Sequence, residues 1–338
     1  MKNSIILGIE SSCDDTSAAV IRGNHILSNV TAAQKVHLEY GGVVPELASR
    51  AHQQNILPVV HQALAKAKIQ QNELQAIGFT RGPGLLGSLL VGTSFAKSLA
   101  MALDIPLIEV NHLQAHILAH FIKDANPSPP KFPFLCLTVS GGHTLIVLVK
   151  DYFDIEILGK TLDDAAGEAF DKIGKILGLD YPGGPILDKL AQQGDAGRFE
   201  FSKPKLKNYD YSFSGVKTSV LYFIQKEVKK NPQFIEENLN DLCASVQKNI
   251  VEILLQKLKK VAKDYQINEI AIAGGVSANS ELRNSLKKMS KENHWNYYIP
   301  KFEYTTDNAA MIAMVAELKY EKGDFSDLDI NATARYDL

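Results

Sequence analysis

His112 and His116 stand four residues apart in the stretch Val110-Asn111-His112-Leu113-Gln114-Ala115-His116-Ile117-Leu118-Ala119-His120. On a helix that spacing stacks both imidazoles on one face, and two neutral imidazoles on one face make half of a transition-metal site. Asn111 is suited to cap a helix, and no Pro or Gly interrupts residues 111–123, so the sequence predicts a helix there. His120 continues the same face, either as a third ligand or as a neighbour. A zinc-protease helix would carry a glutamate directly after its first histidine, as general base. Position 113 is Leu113, which cannot take a proton from water. Any metal held here serves another reaction.

Asp307 is the expected partner of the histidines. It stands at or just before the start of a helix, where a carboxylate either caps or ligates. A His, His, Asp set leaves coordination positions open, as a metal that grips a phosphate or a leaving group requires. Three glycine turns add a second theme. Ser140-Gly141-Gly142-His143 joins two apolar strands, and its backbone N–H groups can approach phosphate oxygens. Gly274-Gly275 opens a strand-to-helix junction, which favours an anion or a nucleotide, and Pro182-Gly183-Gly184-Pro185 is a third such turn. Each alone is also an ordinary tight turn; together they point to a nucleotide. Glu168 and Asp171 share a helix face that suits either ribose hydroxyls or a charge pair.

The elements that must position these groups read as alternating strands and helices. Strands are expected at 5–10, 17–21 and 26–31, then a helix at 45–68, a strand at 76–80, a nearly uncharged helix at 85–103 and a strand at 107–110. The opening pattern returns at 134–139, 144–149 and 155–158, about 130 residues later. Helices follow at 165–177, 185–193, 215–228 and 235–265, the last expected to be broken or bent around 239–240. A strand at 269–273, a helix to 291, a strand at 296–300 and a final helix to 322 close the chain. This is an α/β architecture with two related halves, expected at 1–131 and 132–338 around a connector, 124–131, that holds three prolines. Residues 199–211, with Lys203, Lys205 and Lys207, read as an exposed loop.

Composition bounds the function. With 338 residues, 45% hydrophobic and 22% charged, the chain can bury two ordinary cores. Its 36 basic and 38 acidic residues give a net charge of −2, so nucleic acid would be held by a local patch or through a partner. Cys13, Cys136 and Cys243 are odd in number and scattered, as expected of reduced thiols in the cytoplasm. The one membrane candidate, 82–103, carries Lys97 and many small residues, so a buried or partner-facing helix is expected rather than a span, and no signal peptide is read at the start.

Together the motifs resemble a known family. Gly8-Ile9-Glu10-Ser11-Ser12-Cys13-Asp14-Asp15-Thr16, Gly82-Pro83-Gly84, Asn111-His112-Leu113-Gln114-Ala115-His116 and Val139-Ser140-Gly141-Gly142-His143-Thr144 are similar to those of the tRNA N6-adenosine threonylcarbamoyltransferases (TsaD in bacteria, formerly Gcp or O-sialoglycoprotein endopeptidases). So are Gly167-Glu168-Ala169-Phe170-Asp171-Lys172, Tyr181-Pro182-Gly183-Gly184-Pro185, Ser212-Phe213-Ser214-Gly215, Gly274-Gly275-Val276-Ser277-Ala278-Asn279 and Thr306-Asp307-Asn308-Ala309. The likeness runs from residue 4 to about 335 in order. Asp14-Asp15 departs from the Asp-Glu pair commoner in bacterial members.

The resemblance implies an actin-like ATPase (ASKHA) fold with nucleotide and metal in the cleft between its halves. It implies transfer of a threonylcarbamoyl group from threonylcarbamoyl-AMP to N6 of the adenosine 3′ of the anticodon in tRNAs reading ANN codons, with release of AMP. By position, His112, His116 and Asp307 are the implied ligands of one divalent metal per chain, iron(II) or else zinc(II). Thr138, Val139, Ser140, Gly141 and Gly142 are the implied adenylate strip, and Asp171, Gly184, Asp188 and Asn279 the implied ribose and adenine contacts. Asp14, with Glu10 as the other candidate, is the expected proton acceptor. Lys203, Lys205, Lys207 and Lys217 are expected to hold tRNA. The implied partners are a TsaB-like inactive paralogue, expected on the 85–103 helix around Gly92, and a TsaE-like ATPase. A free-standing, cytoplasmic protein of bacterial type without a membrane is expected. The alternative is another member of the same fold, a small-molecule phosphotransferase or O-carbamoyltransferase, though kinases of this fold hold Mg²⁺ through carboxylates and water rather than imidazoles.

Overall fold

A computed structural model describes residues 4–124, 128–204 and 206–338. The elements run β1 (Ile5–Glu10), β2 (Asp15–Arg22), β3 (His25–Ala33), α1 (Pro45–Ala67), β4 (Ala76–Gly82), α2 (Leu86–Leu103), β5 (Leu107–Asn111) and α3 (His112–Leu118). Then come β6 (Phe134–Val139), β7 (Thr144–Asp151), β8 (Asp154–Lys160), α4 (Ala166–Ile176), α5 (Gly183–Ala191), α6 (Ser214–Val228) and α7 (Phe234–Tyr265). The chain continues through β9 (Glu269–Ala273), α8 (Ser280–Asn293), β10 (Asn296–Tyr298) and α9 (Ala309–Lys322).

Two compact units result, Met1–Pro129 with Pro300–Leu338, and Pro130–Ile299. The division after Pro129 falls in the proline connector, and everything from Pro300 onward packs with the first unit. The physical reason lies in α9. Ala309 to Leu318 are all buried, so this helix needs apolar surroundings on nearly every side. The first sheet supplies one of them through glycines. A Cβ on Gly8 would sit 2.6 Å from the Ala309 carbonyl and from the Ala313 nitrogen, and one on Gly78 would strike the Ala316 methyl. Only glycine lets the α9 backbone approach the strands so closely.

Each unit carries a five-stranded sheet of the same design. The orders are β3-β2-β1-β4-β5 and β10-β9-β6-β7-β8. In each, three successive strands pair antiparallel and two later strands add in parallel beside the first. The repeated strand-turn-strand pattern therefore corresponds to a repeated sheet. In the first unit Leu7 and Ile9 join Ile56, Val59, Val60 and Ala96 in one core, while Gly8 between them faces α9. This alternation puts α1 and α2 on one face of the sheet and α9 on the other.

Some elements depart from expectation. The histidine helix ends at Leu118 rather than near residue 123; a 3₁₀ turn, Ala119–Phe121, follows, and Ile122 is already extended. There the chain leaves to let Lys123 N–H bond the Asn24 carbonyl at 3.0 Å. Helix α7 runs through 32 residues without a break at 239–240, and it contains no Pro or Gly to cause one. The stretch 199–211 is not simply exposed: Phe201 and Tyr211 are core residues, and the Tyr211 hydroxyl donates to the Leu254 carbonyl at 3.1 Å.

Candidate metal centre and glycine turns

The two histidines enter from α3, whose N-terminus is capped as its sequence suggests. The Asn111 side-chain oxygen accepts from Leu113 N–H at 2.9 Å and from Gln114 N–H at 3.1 Å. Asp307 arrives from the other end of the unit's chain, just before α9. It does not cap that helix; Asn308 does, through Met311 N–H at 3.1 Å. Asp307 is thereby left to meet both imidazoles. Its Oδ1 lies 3.2 Å from His116 Nε2 and 3.4 Å from His112 Nε2, and the three ligand atoms fall within 4.8 Å of one another. A tetrahedral ion with bonds of about 2.0–2.1 Å separates its ligand atoms by roughly 3.3 Å, so the donor set fits such a group in both chemistry and spacing. His120 is buried in the 3₁₀ turn and is not a member of this cluster.

Behind His112 stands Glu10, with no exposed surface at all. His112 Nδ1–H donates to Glu10 Oε2 at 3.0 Å and also meets Ser12 Oγ at 3.2 Å. The Thr80 hydroxyl donates to the same carboxylate at 2.7 Å, and Ser12 N–H to its other oxygen. A carboxylate on the far nitrogen fixes the imidazole with Nε2 toward the cluster. Burial pushes the Glu10 carboxyl up, but the His112 charge and these donors outweigh it and hold the group below its usual range. Burial likewise opposes protonation of His112, yet Asp307 and Glu10 raise its pKa well above the ordinary value. His116 goes the other way, lowered chiefly by burial, and no partner for its Nδ1 exists among the described residues.

Both Glu10 carboxylate oxygens are thus engaged, by His112 and Thr80 on one side and by the Ser12 N–H on the other. Asp14 and Asp15 remain in the turn, both half-buried. The Asp15 carboxyl is pushed up to about 7, first by burial and then by the charges of Asp307, Asp14 and Glu10. Sequence reasoning missed the brace under this turn. His52 of α1 donates from Nε2 to the Cys13 carbonyl at 2.9 Å and accepts at Nδ1 from the Thr16 hydroxyl at 2.8 Å. Burial lowers the pKa of this imidazole. A lone histidine within a long helix gave no signal of that role.

The second unit brings its candidate residues together in three neighbouring groups. Thr138 and Val139 end β6, and Ser140 N–H closes the turn on the His143 carbonyl at 2.8 Å. A Cβ on Gly141 or Gly142 would meet nothing within 4 Å, so these glycines border open space. Gly274, at a φ of +83°, abuts the Val139 backbone, which sets the second glycine turn beside the first. Asp171 Oδ1 accepts from Gly184 N–H at 3.0 Å. One turn further along α5, Asp188 accepts from Ser280 N–H at 3.2 Å and from its hydroxyl at 2.6 Å. Asn279 caps α8 through Leu282 N–H at 3.0 Å and donates to Gln247 at 3.0 Å. The lysines are less free than expected. Lys203 pairs with Glu252 and Lys217 with Asp164, Lys207 is exposed, and Lys205 lies outside the described residues.

Residues 25–314 match the family described as TsaD, tRNA N6-adenosine threonylcarbamoyltransferase. The chain belongs to this family. The tRNA N6-adenosine threonylcarbamoyltransferase of Riemerella anatipestifer is 76% identical over 338 residues, covering 100% of this chain and 99% of its own length. That of Christiangramia forsetii is 62% identical over 331 residues, covering 98% and 97%. Among solved structures, full-length HypF in its phosphate- and nucleotide-bound form aligns with a TM-score of 0.64 at 14% identity, over 96% of this chain and 48% of HypF. The ROK hexokinase of Thermus thermophilus aligns at 0.50 and 15% identity, over 94% and 100%. These two share the fold alone, which is the actin-like ATPase fold with its two α/β halves. As a member of its family the chain is a transferase.

Proposed function

We propose that this protein transfers the threonylcarbamoyl group of threonylcarbamoyl-AMP to N6 of the adenosine 3′ of the anticodon in tRNAs reading ANN codons, releasing AMP. The observation that carries the reading is the convergence of His112, His116 and Asp307 with Leu113, not a glutamate, beside the first histidine. An acyl adenylate is already activated, so the enzyme chiefly positions it and stabilises charge growing on its oxygens. A divalent ion held by the three ligands, iron(II) or zinc(II), supplies Lewis acidity toward a phosphate or carbonyl oxygen. The open glycine turns at Gly141 and Gly142 offer backbone N–H groups to the adenylate, with Thr138, Val139 and Ser140 as the strip leading into them. Asp171, Gly184, Asp188 and Asn279 take ribose and adenine. Asp14 accepts the N6 proton, since Glu10 is committed to His112.

The outer face of α2 is the proposed seat of a TsaB-like paralogue, with a TsaE-like ATPase as the second partner. The small-residue face expected to serve there is instead turned inward: a Cβ on Gly92 would strike the Ser11 hydroxyl. The exposed apolar residues are Leu86, Leu90 and Met101, with Leu57 of α1. The same helix is apolar and long enough to cross a membrane, at a mean hydropathy of 1.4, but Ser88, Leu89, Gly92 and Ala96 are buried against the protein's own elements. A tRNA substrate sets the protein in the cytoplasm, and Lys207 with its neighbouring lysines is the proposed local patch.

The test supplies synthetic threonylcarbamoyl-AMP and unmodified tRNA to the purified protein, with and without the two partners, and reads nucleosides by mass spectrometry. Modified adenosine is expected from the wild type and none from His112→Ala. Asp14→Asn is expected to slow single-turnover transfer at least a hundredfold, the usual worth of a general base, with metal still bound. No modified adenosine under any partner condition would sink the reading and favour a small-molecule acceptor.

A further inference from the structure

The segment 326–338 reaches back to the short helix that carries the histidines. Ser326 N–H donates to the Leu107 carbonyl at 2.8 Å, and its hydroxyl accepts from Glu109 N–H at 2.9 Å, so the segment starts along β5. Further on, Thr333 N–H donates to the Arg81 carbonyl at 2.9 Å, and Gly84 N–H to the Ala334 carbonyl at 3.2 Å. Asn111 Nδ2 then donates to the carbonyls of Asp337 at 2.9 Å and Tyr336 at 3.4 Å. The other atom of that amide, Oδ1, is the cap of α3. One side chain therefore ties the N-terminus of the histidine helix to the returning segment.

A second route leads to the same imidazole. The Tyr336 ring lies 4.9 Å from the Arg81 guanidinium, and its hydroxyl donates to Glu109 Oε1 at 3.1 Å. Arg81 closes the triangle on Glu109 Oε2 at 2.7 Å. Gly82 backs onto the Thr333 carbonyl with no room for a side chain, and a Cβ on Gly84 would lie 2.5 Å from the Ser12 carbonyl. Leu85 N–H donates to that carbonyl at 2.7 Å, and Ser12 Oγ meets His112 Nδ1. The loop 82–85 is thus clamped between the segment and the turn that touches His112.

We propose that residues 326–338 form a strap that sets the attitude of α3, with Asn111 and Tyr336 as positioning residues for the His112–His116–Asp307 centre. The inference rests on the metal reading of that centre. A helix of seven residues cannot hold its own orientation, because a helix so short gains too little from its own hydrogen bonds. What its cap is tied to decides where the imidazoles stand.

Cobalt(II) is the probe, bound anaerobically to the full chain, with ligand-field absorption read directly and affinity from competition with a chromophoric chelator. Asn111→Ser keeps a cap acceptor but loses both donors to the strap. Tyr336→Ala removes the ring and hydroxyl at the strap's own end. Each is expected to weaken cobalt binding about tenfold or more and to alter the absorption bands, as loss of ligand-orienting partners does. The double variant is expected to fall short of the product of the two effects, since both act through one strap. Wild-type protein that binds no cobalt would overturn the metal reading itself. Wild-type binding with unchanged affinity and spectrum in both variants would overturn the strap alone. A loss in Asn111→Ser without any in Tyr336→Ala would also overturn it, assigning the effect to the helix cap.

Discussion

At the scale of single residues, the centre is governed by who holds the protons. Asp307 and Glu10 favour the protonated form of His112 despite its burial. Its Nε2 must lose a proton before it can ligate, while Nδ1–H stays on Glu10. Metal uptake near neutral pH is therefore expected to release about one proton, and affinity to rise about tenfold per pH unit below the His112 pKa. Calorimetric titration in buffers of different ionisation enthalpy measures this; no buffer dependence would show that His112 is neutral beforehand. Glu10→Gln should weaken metal binding roughly 10–100-fold, because the amide orients His112 without the carboxylate's charge. Chelator competition reads the change, and unchanged affinity would reduce Glu10 to packing.

At the scale of elements, α9 delivers Asp307 and is fixed by close contact with β1 and β4. It also carries a buried carboxyl, Glu317, which accepts from the Ser4 hydroxyl at 2.6 and 2.8 Å. Burial pushes this group up to about 7, with the charge of Glu321 adding and the Ser4 hydrogen bond opposing. The folded state thus holds the proton more tightly than the unfolded chain. The stabilisation is fully present below about pH 4.3, the unfolded value, and is lost as pH rises through 7. Glu317→Gln is expected to match the wild type near pH 5 and to exceed it at pH 8.5, by at most about 3 kcal/mol. Urea unfolding at the two pH values tests this; parallel pH profiles for the two proteins would contradict it.

At the scale of the whole molecule, α2 shows one apolar face to its own sheet and another to solvent. Leu90 and Met101 are 47% and 67% exposed, whereas Gly92 is buried, so the position that matters for a partner is not the glycine. Leu90→Lys is expected to weaken association with a TsaB-like partner at least tenfold, the effect of a charge in an apolar interface core, without lowering thermal stability. Isothermal titration with the partner decides it, and full affinity in the variant would remove α2 from the interface. Gly92→Lys, by contrast, is expected to unfold the unit, since its side chain would have to enter the space occupied by Ser11.

Local pattern by itself determined most elements, because alternation in strands and helical spacing are properties of short stretches. It also determined the His112–His116 pair, where four residues on a capped helix leave little freedom, and the long motifs that mark the family. What the tertiary structure decided depends on contacts far apart in the chain. Residues 300–338 return to the first unit because α9 fits only where Gly8 and Gly78 bare the sheet, and periodicity in one segment cannot report the shape of another. Glu10 reads as a candidate base until burial and three donors assign it to His112. His52 and Asn111 gain their further roles only when α1 and the strap bring partners 39 and 226 positions away within hydrogen-bond reach.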